Sequence, residues 1–540
     1  MSSLAASHPE HATGRQWLIA PVVAFAAFMQ ILDVSIANVS LVHISGSLSA
    51  SREESTWVLT SFIVGNAIIL PASGWFASVL GRKTYFLICI GGFVVTSLLC
   101  GLAPNLTWLI VFRFIQGFAS GGLGPTSQSI LADSFPPHQR AMAFAMYGMA
   151  AMAAPAIGPT LGGWITDDFT WRWVFLINVP IGIILFGAVI AMVDDPDYVR
   201  EARERRRGRP IKIDYVGFAL LALGFGTLQL MLDQGEQRDW FSSGMILAAG
   251  VTAVVSLVAF VLWVIGREDP IVDLSLLKDR NFAIANALML MLGFSMFTTT
   301  VLLPVMVQSL YGYTALLAGL VLSPGSVVII LMMPLVAQMQ KFINTRILIA
   351  VGLAVAAVGL YVMTGINLQT DYWTICGIRI LQLFGNAFLF GPVTTMAYQD
   401  MPNARSDGAS AFLNLSRNLG GSIGIAALLT FLAQRTQFHH ARLAEHVTPG
   451  DPQYMSLIEA LQAKILSAGA ASGDALQQAQ AMLSLMVNRQ ASMMGFLDCF
   501  FALALVFAGL VLFVVFMRGG KPVRQARRGP PQGAIESEVI

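Results

Sequence analysis

Long apolar stretches broken by short polar turns repeat along the whole chain. Fourteen of them, at about 17–39, 54–76, 84–103, 106–130, 141–166, 171–193, 213–233, 241–265, 282–308, 315–338, 344–366, 372–398, 409–432 and 493–517, are long enough to cross a bilayer as helices. Lipid offers backbone groups no hydrogen-bond partners, so a chain of such runs predicts an all-α membrane protein. The first run follows a hydrophilic stretch and is too long for a cleaved signal, so it is expected to stay as the first span.

Composition strengthens this reading. Hydrophobic residues make up 56% of the 540 and charged residues 11%, which would leave a water-exposed surface covered in apolar patches. A net charge of +2 gives no reason to expect a nucleic-acid partner. Cys89, Cys100, Cys376 and Cys499 all fall inside apolar runs and form no metal or disulfide pattern. Placing both termini in the cytoplasm, and counting Arg172 and Arg346 with the loops they adjoin, puts 22 of the 32 Lys and Arg residues on that side, 7 on the other and three within spans. The positive-inside rule favours that orientation, with a basic cluster at Arg203, Arg205, Arg206, Arg207 and Arg209.

One outer segment, 433–492, is polar. SAGAASG divides it, and Leu457, Ile458, Leu461 and Ile465 recur at helical spacing. It reads as an amphipathic hairpin resting on the membrane or on its own domain, with a docking surface for another protein as the alternative.

The chain also repeats itself. RFIQGFASGGLGP (113–125) in the fourth span is echoed by RILQLFGNAFLFGP (379–392) in the twelfth, and each precedes a turn with Pro and Arg. GPTLGG in the fifth span is answered by NLGGSIG in the thirteenth. Matching four with twelve and five with thirteen gives two six-helix halves, with spans seven and eight inserted between them. Secondary transporters are built from such halves, with substrate held between them near the midplane.

Polar residues inside the spans mark candidate pathways, because ionisable groups at membrane depth are costly unless they face protein or trapped water. Asp33 interrupts the oily first span, and Arg113 is the best partner for it. Arg113, Gln116, Gly117, Ser120, Gly121, Gly124 and Gln128 fall on one helical stripe, as do Ser410, Asn414, Arg417, Asn418 and Gly421. We assign proton coupling to Asp33, Arg113 and Gln116, and the substrate cavity to Gln30, Asn38, Gln128, Gln382, Asn386, Asn414 and Arg417. The alternative for Arg379 and Arg417 is a buried hydrogen-bonded clamp. In AAMAAPAIGPTLGGW (150–164), small residues permit close helix packing and two prolines bend the span.

LDVSIANVSL, GWFASVLGRK, LIVFRFIQG, GPTLGG and WRWVFLINVPIG together resemble the signatures of the major facilitator superfamily, specifically its fourteen-span drug:proton antiporters of the EmrB/QacA type. IDYVGFALLALG, DQGEQRDWF and LYGYTALLAGL bring the chain nearer the EmrB side. The similarity runs from about residue 17 to 517.

The resemblance implies a major facilitator fold, two six-helix bundles plus two inserted helices, and proton-driven export of amphipathic toxic compounds by alternating access. The implied setting is the bacterial inner membrane, with a periplasmic adaptor (membrane fusion protein) and an outer-membrane channel as partners besides lipid, substrate and protons. By resemblance, Gly74, Gly81, Arg82 and Lys83 match the gating loop, and Gly158, Pro159, Gly162 and Gly163 the antiporter motif. Where many members carry an acid in that loop this chain has Ser78, so a latch there must rely on Arg82, Lys83 and the helix ends.

The expected organisation is a cytoplasmic tail at 1–16, a bundle at 17–193, a basic loop at 194–212, the inserted pair at 213–265, a second bundle at 282–517 containing the outer segment, and a tail at 518–540. No cofactor, metal or catalytic group is expected: His439 and His440 are adjacent in a loop without a matched acid. The competing function is a facilitator-fold transporter of one defined metabolite or siderophore-like compound.

Overall fold

A computed structural model describes residues 13–196, 199–201, 204, 214–267, 270–399, 401–402, 405–445, 447–448, 452–467 and 474–514. The basic cluster at Arg203 to Arg209 (except residue 204), residues 1–12 and the tail at 518–540 lie outside the described residues. In chain order the helices are α1 (Gly14–Ser47), α2 (Arg52–Ile69), α3 (Ser73–Leu80), α4 (Arg82–Gly101), α5 (Leu106–Ser120), α6 (Leu123–Ser134), α7 (Arg140–Asp168), α8 (Trp173–Leu176) and α9 (Asn178–Met192). There follow α10 (Tyr215–Gln234), α11 (Gly244–Val264), α12 (Arg280–Tyr311), α13 (Ala315–Met339), α14 (Thr345–Val362), α15 (Tyr372–Ala397), α16 (Ser406–Ala444), α17 (Pro452–Ser467) and α18 (Ala475–Val514).

Among the described residues twelve helical segments are long and apolar enough to cross a membrane, and two bent pairs raise the number to fourteen. One bent pair is α2 with α3, turned by 57°. Pro71 lies at that turn; its ring takes away a backbone donor and crowds the preceding turn. The other is α7, bent by 40° near Pro155.

Helix starts are set by local chemistry. Thr13 and Ser51 close capping boxes with Gln16 and Glu54. Asn105 caps α5 by accepting from the Trp108 backbone N–H at 3.0 Å, and Asp371 caps α15 from Thr374 at 3.1 Å.

Packing repeats between the halves. In the first, α1 lies on α7, and α4 lies on α5 and α9; in the second, α12 lies on α16, and α14 lies on α15 and α18. The inserted helices α10 and α11 pack on each other, and α10 leans on both α2 and α16. Gln229 of α10 accepts from the Ser422 hydroxyl at 3.0 Å, and Asp233 accepts from Thr60.

Within 433–492, α17 folds against α18 as a helical hairpin, and the flanking spans run on into the segment. α16 continues to Ala444 and α18 begins at Ala475, because neither 433–444 nor 475–492 contains a Gly or Pro to stop a helix where hydrophobicity ends. Ile458 and Leu461 of α17 pack against Ala479 and Leu483 of α18, with Val447, Tyr454 and Ile465 around them. Leu457 points outward instead. His439 sits in helix α16, not in a loop, and has an acid partner: its Nε2 lies 2.7 Å from Asp498, which also accepts from Arg435 Nε at 2.5 Å.

Candidate functional site

Asp33, Arg113 and Gln116 come together in the first bundle, on α1 and α5. Arg113 Nη1 donates to Asp33 Oδ2 at 2.5 Å and to Gln116 Oε1 at 2.8 Å, and Gln116 Nε2 reaches Asp33 Oδ1 at 3.4 Å. Arg113 Nε donates to the Val58 carbonyl at 3.1 Å, and its guanidinium lies 4.3 Å from the Phe62 ring centre. All three side chains are fully buried. Asn178 completes the site. Its amide donates to Asp33 Oδ1 at 2.7 Å and to Ser97 Oγ at 3.1 Å. It was not among the expected residues, although an amide inside FLINVPIG is the same signal that singled out Asp33.

The second bundle contains the same arrangement with one change. Arg379 Nη1 donates to Gln382 Oε1 at 2.7 Å and to Thr299 Oγ1 at 2.8 Å, and Gln382 Nε2 reaches Thr299 at 3.3 Å. Arg113 is 80 residues after Asp33, and Arg379 is 80 after Thr299. A hydroxyl therefore stands where the first bundle has a carboxylate. Arg379 lines a cavity of about 20 Å³, with Met152, Pro155, Met296, Leu322 and Leu383 among its walls.

None of the expected cavity residues borders that space. Gln128 and Asn414 bond to each other across the two bundles at 3.0 Å, and Asn414 Oδ1 accepts from Arg417 at 3.1 Å. Gln382 is fully buried behind Arg379. Asn386 is buried with neither amide atom hydrogen-bonded. Gln30 is half-buried and outside the Asp33 network. Asn38 is exposed, since five residues beyond Asp33 turn a helix by roughly 140° away from that face.

The gating-loop residues form a junction between the bundles. Arg82 is 1% exposed and pairs with Asp133 of α6 and with Asp407 of α16, the latter at 2.7 Å, while donating to Ser406 at 2.8 Å. The acids absent from the loop, where Ser78 bonds only its own helix at Trp75, are thus supplied by other helices. Ser129 and Ser410 lie 2.7 Å apart beside the junction. Gly74 is required there: a Cβ would come within 2.7 Å of the Asp407 carbonyl. Gly81 adopts φ +88° at the turn, and Lys83 donates from its backbone to Asp195 at 2.9 Å. Its ammonium lies 3.4 Å from Asp194, which Arg15 also meets at 2.7 Å. Partial burial pushes the Asp194 carboxyl up, but hydrogen bonds and charge from Arg15 and Lys83 hold it below its ordinary value.

The antiporter motif divides its contacts. A Cβ at Gly158 would lie 2.5 Å from Ser35 Cβ, and one at Gly162 would lie 3.1 Å from Ile36, so both glycines let α1 settle onto α7. Pro159 faces the second bundle at Gly319 of α13, where a Cβ would meet it at 3.3 Å. A Cβ at Gly163 would meet nothing within 4 Å.

Comparison with known proteins agrees with this architecture. The family model described as Major Facilitator Superfamily matches residues 23–425. The fatty acid resistance protein FarB of Neisseria gonorrhoeae is 37% identical over 92% of this chain and 93% of its own. The multidrug export protein EmrB of Escherichia coli K12 is 38% identical over 86% of this chain and 90% of its own. Among solved structures, the human organic anion transporter MFSD10 (TETRAN) aligns with a TM-score of 0.54 over 93% of this chain and all of that one, at 12% identity.

Proposed function

The chain belongs to the major facilitator superfamily, so it is a multi-pass membrane transporter and not an enzyme, and we propose that it exports amphipathic toxic compounds or drugs by exchange with protons. The observation that carries the proton half is the buried cluster of Asp33, Arg113, Gln116 and Asn178. A carboxylate inside a span needs compensation, and here one cation and two amides provide it. Protonating Asp33 removes the counter-charge of Arg113 and loosens α1 from α5. Ser35 and Ile36, two and three residues further along α1, rest on Gly158 and Gly162 of α7, and Pro159 of α7 touches the second bundle. Proton binding at Asp33 thereby reaches the interface between the bundles through contiguous packing.

In our reading the termini and the Arg82 junction are cytoplasmic, in a bacterial inner membrane, and the conformation described is closed on that side. Opening inward requires Arg82 to part from Asp407 while staying with Asp133 in its own bundle. Export to the far side of a two-membrane envelope needs a periplasmic adaptor and an outer-membrane channel, and the outer helices are the surface we assign to the adaptor. Leu476, Met482, Leu485 and Met486 of α18 are exposed apolar residues suited to that contact.

The test is proton movement in proteoliposomes when an exported dye is added. The wild type should release or take up protons, and Asp33→Asn should bind dye without moving them; normal coupling in Asp33→Asn would remove Asp33 from the mechanism. Replacing 452–473 with a Gly/Ser linker should preserve vesicle transport while lowering cellular resistance. Loss of vesicle transport in the folded variant would rule out docking as the segment's sole role.

A further inference from the structure

Arg379 is a buried cation with no acid. It is 3% exposed, and its acceptors are the neutral Gln382 Oε1, Thr299 Oγ1 and, at 3.4 Å, Thr300 Oγ1. Its Nε has no partner. Among the described residues no carboxylate pairs with it, whereas the matching arginine of the first bundle has Asp33 at 2.5 Å. Removing a guanidinium from water costs several kcal/mol unless an opposite charge offsets it. The missing charge has somewhere to sit, because Arg379 borders a cavity walled by Met152, Pro155, Met296, Leu322, Ile329 and Leu383, with the hydroxyls of Thr300 and Ser326 beside them. About 20 Å³ accommodates a guest the size of a water or a carboxylate oxygen, not a whole drug.

We propose that Arg379 is the head-group site for organic anions: it receives the carboxylate or sulfonate of an amphipathic substrate, whose apolar body the methionine and leucine walls hold once alternating access widens the cavity. This rests on the reading of the protein as an exporter of amphipathic compounds and names the charge class that one position in its cavity selects. Thr299 is the specificity-determining residue. A hydroxyl there leaves the guanidinium available to the substrate, and an aspartate would neutralise it internally as Asp33 neutralises Arg113. Arginine suits the task because its planar fork can hold a carboxylate by two bonds. The thioethers of Met152 and Met296 adapt to ring systems of different shape.

The experiment measures equilibrium binding of 1-naphthoate to the full chain in nanodiscs by naphthalene fluorescence, with 1-naphthamide and 1-naphthylmethylammonium as matched neutral and cationic probes. Empty nanodiscs provide the lipid background. The wild type should bind the naphthoate at least about tenfold more tightly than the amide. Arg379→Gln should abolish that preference without weakening amide binding. Thr299→Asp should abolish it too, although the arginine is still present, and this variant decides the matter if Arg379→Gln does not fold. Retention of the preference in Thr299→Asp, or equal affinity of the wild type for naphthoate and amide, would overturn the assignment. Displacement of naphthoate by chloride at equal concentration would also overturn it, making the site one for a small inorganic anion. Dye export by vesicles is scored separately and bears on the proposed function alone.

Discussion

Arg113 and Arg379 each bond a glutamine one turn on and reach back over the same number of residues, to Asp33 in one bundle and to Thr299 in the other. The repeated fold delivers the guanidinium to the same place twice, and a single residue on α1 or α12 decides the electrostatics. With aspartate the site is self-neutral and can change charge only by taking a proton. With threonine it stays cationic and can be neutralised only from outside. On our two proposals, halves of similar shape serve different ions, one the driving proton and the other the cargo.

The largest way to break this comparison is to remove each arginine in turn. Arg113→Ala leaves Asp33 buried without its cation and should cost about 3–5 kcal/mol, seen as a collapse in folded yield and melting temperature. Arg379→Ala strands no charge and should cost about 1–2 kcal/mol, mostly from the orphaned Gln382 carbonyl. Equal losses in thermal melts would mean that the two sites are not electrostatically distinct. Charge-preserving changes are milder. Arg113→Lys loses the Nε bond to Val58 and the simultaneous grip on Asp33 and Gln116, so dye-driven proton flux should fall by roughly tenfold while the protein still folds. Asn178→Leu, which removes one donor from Asp33, should cost about 1–3 kcal/mol, measured by chemical denaturation against the wild type. The smallest effect lies at the helix caps, Asn105 for α5 and Asp371 for α15. Hydrogen bonds from Thr374 hold the Asp371 carboxyl below its ordinary value, so its capping contribution is complete above about pH 4 and fades as pH falls through the lower folded value. Asparagine does not titrate. The protection factor against hydrogen exchange at 372–375 should fall upon acidification from pH 5 to 3, while that at 106–109 should stay constant.

Much of the fold could be read from the sequence because a bilayer imposes one simple requirement: about twenty apolar residues for each crossing. The Asp33–Arg113 pair was legible for a related reason, since an acid at that depth needs a cation and α5 presented one. Gln128 and Asn414 show where such reasoning stops. A polar side chain inside a span signals that it faces protein or water, but the signal does not say which, and these two face each other across the bundles. Asp133 and Asp407 are silent in the sequence because they sit beside polar turns, where an acid costs little; only the approach of α4, α6 and α16 makes them partners of Arg82. His439 was set aside for want of a nearby acid in sequence, yet Asp498, 59 residues on, meets it through the packing of α18 against α16.

α16 is one uninterrupted helix with Asp407 in its first turn and Arg442 in its last. Mechanically it is a rod that passes through the whole transporter: one end is tied to the other bundle by Arg82, and the far end carries part of the outer domain. From Gly420, near mid-length, to Ala444 the rod extends roughly 36 Å. A tilt of about 10° as the junction opens would swing that tip by roughly 6 Å. Anything resting on the outer helices would be pushed once per cycle, so a protein docked there would sense the working of the pump as displacement, with no chemical signal passing between them.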